Sequence, residues 1–232
     1  MRPLVLRSGQ SSGFTKIVHI GVDFGTTFSA AAYAIDHGTG KSFDTRDIQI
    51  ITQYPDGDGS EDDKNEVPTE LLYKEGEKHP DAWGWSARNI LKESQMPHRL
   101  RPHFASRFKL LLSAKDNSKE IREKLEHKFT SDGRVPLDLI VDFLAPLGDH
   151  ILQYIQRKED DEAEFLRWRR KWTFTVPADW TPYARRQMLD AVRAAGFEGD
   201  LKLISEPEAA ALYILEKRHD ERKKLSVSTL TP

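Results

Sequence analysis

Cysteine is absent from this chain of 232 residues. Its absence rules out disulfide bonds, zinc sites built from thiolates and catalysis by a cysteine nucleophile. It also suits a reducing compartment, since disulfides persist mainly in oxidising ones. We therefore expect a cytoplasmic protein, with the nucleus as the alternative, and the chain is long enough to bury a substantial hydrophobic core.

A strong excess of charge of either sign is also missing. The chain has 35 Lys and Arg residues against 37 Asp and Glu residues, for a formal net charge of −2. Domains that bind nucleic acid usually carry a marked basic excess or a basic patch. The balance of charges therefore argues against nucleic acid as a partner.

Long apolar runs and fixed-period repeats do not occur. Residues 1 to 15 contain one short apolar patch but no apolar segment of signal-peptide length, and we interpret them as a flexible tail. No later segment reaches the roughly 20 apolar residues that a membrane-spanning helix needs, so we expect no membrane partner. The lack of a repeat argues against solenoids and propellers.

The first half of the chain begins with a predicted hairpin. Two runs rich in β-branched residues, IVHIGV and FSAAAYAI, flank the segment DFGTT at residues 23–27. Further strands are predicted at Asp47 to Tyr54 and at VPTELLY (residues 67–73), with a polar loop at residues 56–66 between them. Residues 80–135 are mixed in character, and we predict a small peripheral subdomain over roughly 47–135.

The second half predicts alternating helices and strands. Apolar side chains recur at three-and-four spacing from Leu137 to Ile155, which is typical of a helix with one buried stripe. The segments WTFTVPA and LKLIS predict strands, and the helices after them begin at Thr181, with Pro182 in the first turn, and at Pro207. This order indicates an α/β fold with a mixed sheet, flanked by helices and joined by hairpin and crossover connections.

The DFGTT turn is the first candidate for a ligand site. Gly25 allows a ligand close to the backbone, and the N–H groups of such a turn suit phosphate oxygens. Thr26 and Thr27 add hydroxyl groups, and the Asp23 carboxylate is a hard oxygen donor of the kind that holds hydrated Mg²⁺. A hairpin turn that needs glycine for steric reasons alone would have the same sequence. Neither a P-loop nor a GxGxxG motif is present.

The second candidate is Glu206 in the segment SEPEAAALYIL. It follows a predicted strand and precedes a helix that begins at Pro207. Ligands usually bind at the carboxyl ends of strands in α/β sheets, so a carboxylate there is well placed. An acidic residue at a helix N-terminus is also a common cap without further function.

Three segments together resemble a known family. IGVDFGTTFSAAAY is similar to the phosphate-1 hairpin of the Hsp70 and actin superfamily, VPADWTPYARRQMLDAVRAAGF to the VPA strand and helix of Hsp70 proteins, and LKLISEPEAAALYI to their EPTAAA segment. The motifs stand in the family order. Variants such as EPEAA, VPADW and AWGWSARN resemble the divergent Hsp70-like branch of the heat shock 70 kDa protein 12 type, known in animals and expanded in fungi.

The resemblance implies an actin-like ATPase lobe of the ribonuclease H-like kind, with ATP or ADP and Mg²⁺ as ligands. Asp23 would hold Mg²⁺ through water, and Gly25, Thr26 and Thr27 would contact the β and γ phosphates. Glu206 would orient the water on the metal and the attacking nucleophile. Protein clients or co-chaperones are implied as further partners.

Three more residues resemble functional positions of the family. Lys109 in RFKLLL matches the catalytic lysine, which would orient water and stabilise charge on the transferring phosphoryl group. An ordinary surface lysine would have the same sequence context. Pro177 and Arg185 resemble the residues that couple nucleotide state to the neighbouring domain, and Arg186 is an alternative to Arg185.

The resemblance covers only the first lobe of the family fold. We predict this lobe over residues 16–218, followed by a charged, irregular end at 219–232 without the second glycine-rich phosphate loop or the adenosine pocket. We therefore expect a truncated ATP-binding chaperone module that is weak or inactive alone. A non-enzymatic interaction fragment with the same fold is the alternative. A sugar or acetate kinase of the superfamily accounts less well for VPADW and EPEAAA together.

Overall fold

The structure of the chain is a computed structural model. It describes residues 16–39, 45–57, 65–95, 97–113, 119–130, 135–159 and 162–228. The predicted tail at residues 1–15 and most of the predicted loop at 56–66 lie outside the described residues. No helix in these described ranges is long and apolar enough to cross a membrane.

The described elements alternate between strands and helices. The strands are β1 (Ile17–Phe24), β2 (Phe28–Asp36), β3 (Gln49–Ile50), β4 (Val67–Pro68), β5 (Glu70–Tyr73), β6 (Pro80–Trp83), β7 (Phe104–Ser106), β8 (Arg169–Val176) and β9 (Asp200–Ser205). The helices are α1 (Gly84–Glu93), α2 (Pro97–Leu100), α3 (Lys119–Thr130), α4 (Pro136–Lys158), α5 (Glu162–Phe165), α6 (Pro182–Ala194) and α7 (Glu206–Ser228). Short 3₁₀ turns cover Thr45–Asp47, Arg101–His103 and Phe108–Leu112.

A mixed six-stranded sheet forms the centre of the molecule. Its order is β3, β2, β1, β8 and β9, and β4 also pairs with β2. The predicted hairpin is confirmed, because β1 and β2 are antiparallel from Ile17 opposite Asp36 to Phe24 opposite Ser29. β8 is parallel to β1, and β9 is parallel to β8. The sheet therefore has both of the predicted connection types.

One face of the sheet is buried under α4. Alternate side chains of β1 point into the core, and these are Val18, Ile20, Val22 and Phe24. The predicted helix between Leu137 and Ile155 is confirmed as α4, which buries its apolar stripe completely at Leu139, Ile140, Phe143, Leu144, Leu147, Ile151 and Ile155. The alternate side chains of β1 and the side chains on one face of α4 therefore pack together in one apolar layer.

A second sheet of three strands lies within the range predicted for a peripheral subdomain. β5 is its central strand, with β6 and β7 antiparallel on either side. The prediction of a single strand at residues 67–73 is wrong, because this segment forms two strands. β4 joins the large sheet, and β5 joins the small one. The strand predicted at Asp47 to Tyr54 is limited to β3. Its continuation is blocked by Gln53, whose φ of 61° is incompatible with an extended strand.

The two helices after β8 and β9 follow the signals in the sequence. The Thr181 hydroxyl accepts a hydrogen bond from the Ala184 N–H at 3.2 Å and so caps α6, as predicted. Gly196, two residues after α6, has a φ of +88°, which glycine adopts readily. The irregular end predicted after Arg218 is wrong in part, because α7 continues to Ser228. Residues 219–228 include Glu221, Arg222, Lys223, Lys224 and Leu225 and contain neither Gly nor Pro, a composition that permits helix.

A buried histidine lies where α4 meets the segment that follows β3. His150 is 8% exposed, and its ring lies 4.9 Å from the ring of Tyr54. Burial lowers the pKa of His150, a hydrogen bond to the backbone of Thr52 opposes this shift, and Arg157 adds to it. The Nε2 atom has no hydrogen-bond partner among the described residues. His150 is therefore neutral in the folded protein near neutral pH.

We expect the free energy of unfolding to fall as the pH drops through the ordinary histidine pKa of about 6.5, because the unfolded chain then binds a proton that folded His150 resists. One such group contributes a slope of up to about 1.4 kcal/mol per pH unit. His150→Gln should reduce this slope in urea unfolding between about pH 7 and about pH 5. His37 is exposed, so His37→Gln is the matched control for a histidine-to-glutamine change outside the core. Equal slopes in both variants would contradict the assignment.

Candidate functional site

The carboxyl ends of three parallel strands meet at one edge of the large sheet. β8 is paired in parallel with both β1 and β9, and Val176 at the end of β8 lies opposite Ser205 at the end of β9. Asp23 lies next to the end of β1 with an exposed carboxylate, which accepts a hydrogen bond of 2.5 Å from the Thr175 hydroxyl. Glu206 follows β9 directly. The topology thus brings two predicted site residues, Asp23 and Glu206, to the same edge.

The turn after β1 has a shape that only glycine permits. A Cβ atom on Gly25 would lie 2.0 Å from the carbonyl oxygen of Phe28, well inside contact distance. Thr26 is partly exposed and Thr27 is exposed at the surface of the turn. The Thr27 carbonyl accepts a hydrogen bond of 2.9 Å from the Thr69 N–H, which fixes the turn from behind.

Behind this turn lies an arginine that the sequence did not identify. Arg88 on α1 donates two hydrogen bonds to the carboxylate of Glu70, at 3.0 and 2.5 Å. Its guanidinium group lies 4.7 Å from the ring centroid of Phe28 and 5.1 Å from that of Trp85. A guanidinium group that is hydrogen-bonded to a carboxylate and stacked on aromatic rings restrains the positions of those side chains. Arg88 therefore connects α1 to the start of β2, immediately after the turn.

Lys109 is buried and forms an ion pair with Glu206. The side chain is 4% exposed, and its Nζ atom lies 2.9 Å from Glu206 Oε1. The ring centroids of Phe24 and Trp180 lie 5.8 Å and 5.6 Å from the same Nζ atom. The alternative that Lys109 is an ordinary surface lysine is therefore wrong, because a surface lysine would keep its ammonium group in water. No signal in the local sequence predicted the burial.

The two predicted coupling residues both follow β8 in the chain, Pro177 directly and Arg185 on α6. Pro177 follows β8, and its carbonyl accepts a hydrogen bond of 3.2 Å from the Trp180 N–H. Arg185 is partly buried on α6, whereas Arg186 is exposed and pairs with Asp190 at 3.3 Å. Their role in coupling stays a prediction.

The donor set at this edge suits a hydrated cation beside phosphates. The described residues contain no group of three or more His, Asp and Glu side chains that could enclose a metal. Carboxylate and hydroxyl oxygens are nonetheless the ligands that Mg²⁺ prefers, and Mg²⁺ commonly keeps several waters and uses one or two carboxylates with substrate phosphates. Asp23 and the threonines of the turn fit that mode of binding.

Comparison with known proteins identifies distant relatives. The chain is 27% identical over 230 residues to human heat shock 70 kDa protein 12A, 26% identical over 232 residues to the mouse protein of that name, and 24% identical over 229 residues to human heat shock 70 kDa protein 12B. These matches cover 90%, 91% and 95% of the chain. No family model matches the sequence.

The chain spans only 30%, 30% and 31% of the length of these relatives. The similarity nevertheless extends over most of the chain and supports a divergent Hsp70-like relationship. The mixed α/β sheet with flanking helices confirms the predicted fold class and is consistent with an actin-like ATPase lobe.

Removal of either partner of the Lys109 and Glu206 pair should have unequal effects on stability. Glu206→Gln leaves a buried ammonium group without its anion, and we expect a loss of about 2 kcal/mol in the free energy of unfolding. Lys109→Met removes the buried charge at similar volume. Because Glu206 is 46% exposed, water can then solvate its carboxylate, and we expect a loss of less than about 1 kcal/mol.

Denaturant unfolding of both single variants and the double variant measures this difference. The double variant should be close to Lys109→Met alone, since the Glu206→Gln change is costly only while the ammonium group is present. Additive losses in the double variant would contradict the direct coupling of the two side chains.

Proposed function

We propose that this chain forms the phosphate-binding half of a Mg·ATP site in an Hsp70-like nucleotide-binding domain. The observation that carries the proposal is the convergence of Asp23, the Gly25 turn and the Lys109–Glu206 pair at one sheet edge. The similarity to the heat shock 70 kDa proteins 12A and 12B supports it independently. A constellation of carboxylates, a lysine and a tight glycine turn is suited to phosphoryl chemistry, which depends mainly on positioning and charge.

The turn after β1 would bind the phosphates. Its close approach to the Phe28 carbonyl requires glycine at position 25, and the resulting concave backbone can direct N–H groups toward anionic oxygens. The hydroxyl groups of Thr26 and Thr27 would add donors at the surface of the turn. Asp23 would hold hydrated Mg²⁺ beside them, and bound Mg²⁺ supplies neutralisation of phosphate charge.

Glu206 and Lys109 would act on the water that attacks the terminal phosphate. The Glu206 carboxylate is half-exposed and can accept a hydrogen bond from that water and orient it. The Lys109 ammonium group is held between Phe24 and Trp180 and faces the same region through its contact with Glu206. A positive charge fixed there would stabilise the negative charge that develops in the transition state.

The described residues form only one side of such a site. A nucleotide bound here would leave its base in water, and water exclusion, on which efficient catalysis relies, would be incomplete. We therefore infer weak binding and negligible hydrolysis by this chain alone. Chaperone activity, protein clients, and the coupling role of Pro177 and Arg185 belong to the same proposal.

A second candidate is a protein-interaction fragment without enzymatic activity. One observation favours it: four consecutive large apolar side chains on α7, from Leu212 to Leu215, are each more than half exposed. Exposed apolar groups of this size mark interaction sites. On this view the chain keeps the fold and uses its surface to bind another protein.

Calorimetric titration of Mg·ATP into the purified chain tests the site. We expect a dissociation constant weaker than about 100 μM, because only the phosphates are contacted. Asp23→Ala and Glu206→Ala should each weaken binding at least tenfold or abolish it. Asp36→Ala is the matched control, since Asp36 lies at the opposite end of the β1–β2 hairpin, and it should bind as the native chain does.

The outcome of the titration distinguishes the nucleotide site from the protein-interaction fragment. Tight micromolar binding that both site variants lose would show that this half-site functions alone, contrary to the expected weakness. Binding that survives both substitutions would place the nucleotide elsewhere and refute the site. A folded chain that produces no heat would favour the interaction fragment.

A further inference from the structure

Two polar side chains lie side by side on the face of the large sheet that points away from α4. The parallel register of β1 and β8 places Val22 opposite Phe174, and both of these side chains are buried in the apolar core. Successive side chains of a strand point to opposite faces of the sheet. The next residues, Asp23 and Thr175, therefore share the other face, and the strand pairing brings a hydroxyl group beside a carboxylate.

The contact between these two side chains is a short, directional hydrogen bond. The Thr175 hydroxyl donates to Asp23 Oδ1 at 2.5 Å, a length typical of a hydroxyl that donates to a charged carboxylate. Among the residues that the structure describes, no other group donates to this carboxylate. Threonine is β-branched and has a restricted χ1 angle, so its hydroxyl group is held in place. The hydrogen bond therefore restrains the orientation of the Asp23 carboxylate and makes its two oxygens unequal.

Unequal carboxylate oxygens affect which cation the site prefers. Ca²⁺ binds carboxylates through one or both oxygens and tolerates irregular geometry, whereas Mg²⁺ loses its waters reluctantly and keeps several of them. A hydroxyl group that donates to Oδ1 competes with a cation for that oxygen and disfavours binding through both oxygens of Asp23. The Oδ2 atom remains free to accept a hydrogen bond from a water molecule on Mg²⁺.

We propose that Thr175 is a positioning residue that orients the Asp23 carboxylate and makes the site prefer hydrated Mg²⁺ over Ca²⁺. This inference rests on the proposed function, because it concerns the metal ion that accompanies the nucleotide. Thr175 acts through Asp23, since its hydroxyl group donates to one oxygen of that carboxylate. Thr175→Val removes the hydroxyl group and keeps the branched shape, whereas Thr175→Ser keeps the hydroxyl group.

A metal titration without nucleotide tests the preference directly. MgCl₂ and CaCl₂ are titrated separately into the full chain, and the NMR chemical shift of the Asp23 carboxyl carbon reports binding of each ion. We expect Thr175→Val to shift the ratio of the two affinities toward Ca²⁺ by about fivefold, because a hydrogen bond to a charged group is lost. Thr175→Ser should keep the native ratio.

Thr173→Val is the matched control for this substitution. Thr173 lies on the same strand and the same face, two residues before Thr175, and it is opposite Gly21, which has no side chain to accept a hydrogen bond. The control variant should keep the native ratio of affinities. An equal shift in Thr173→Val would assign the effect to the sheet as a whole and overturn the proposal. An unchanged ratio in Thr175→Val would overturn it as well.

Calorimetry with Mg·ATP and Ca·ATP separates this inference from the proposed function. Thr175→Val should weaken the binding of Mg·ATP about fivefold more than that of Ca·ATP. If the native chain binds ATP with neither metal, but the ratio measured at Asp23 still shifts in Thr175→Val, the nucleotide site is refuted and the role of Thr175 stands. If Asp23 in the native chain responds to neither metal, the role of Thr175 is refuted, even where ATP binds.

Discussion

The parallel pairing of β8 with both β1 and β9 is the constraint on which the rest of the structure depends. It fixes the three carboxyl ends at one edge, with Val22 opposite Phe174 and Val176 opposite Ser205. Parallel strands need long crossover connections, and here the connection from the hairpin to β8 includes the small sheet and α4. Lys109 lies on this crossover, so the same topology that aligns the strand ends also brings the lysine to them.

The candidate site is joined directly to the hydrophobic core. Phe24 ends β1, is fully buried, and packs near the rings of Phe108 and Phe143. Its ring also lies beside the Lys109 ammonium group. The position of the charge is therefore set by the same apolar packing that holds α4 on the sheet, and close-packed interiors transmit small displacements between such groups.

Local signals in the sequence were sufficient for part of this architecture. The hairpin and α4 follow from the pattern of apolar residues in their segments. The capped start of α6 follows from Thr181 and Pro182. The burial of Lys109 could not be predicted, because its partner Glu206 is 97 residues away and the flanking residues are merely apolar. The Arg88–Glu70 pair was missed for the same reason, since a side chain's neighbours across a sheet are set by topology and not by spacing. The strand order that brings Asp23 and Glu206 to one edge is known only from the structure, and the chemical roles of the two residues remain predictions.

The pairing of β1 with a strand that begins about 150 residues later in the chain also bears on how the protein is made. Synthesis proceeds from the N-terminus, so the β1–β2 hairpin leaves the ribosome long before β8 can complete the sheet. Until then the free edge of β1 is a template for any other extended chain. Contacts of such high sequence separation also slow folding. During synthesis a chain of this fold therefore exposes an unpaired strand edge until β8 has emerged.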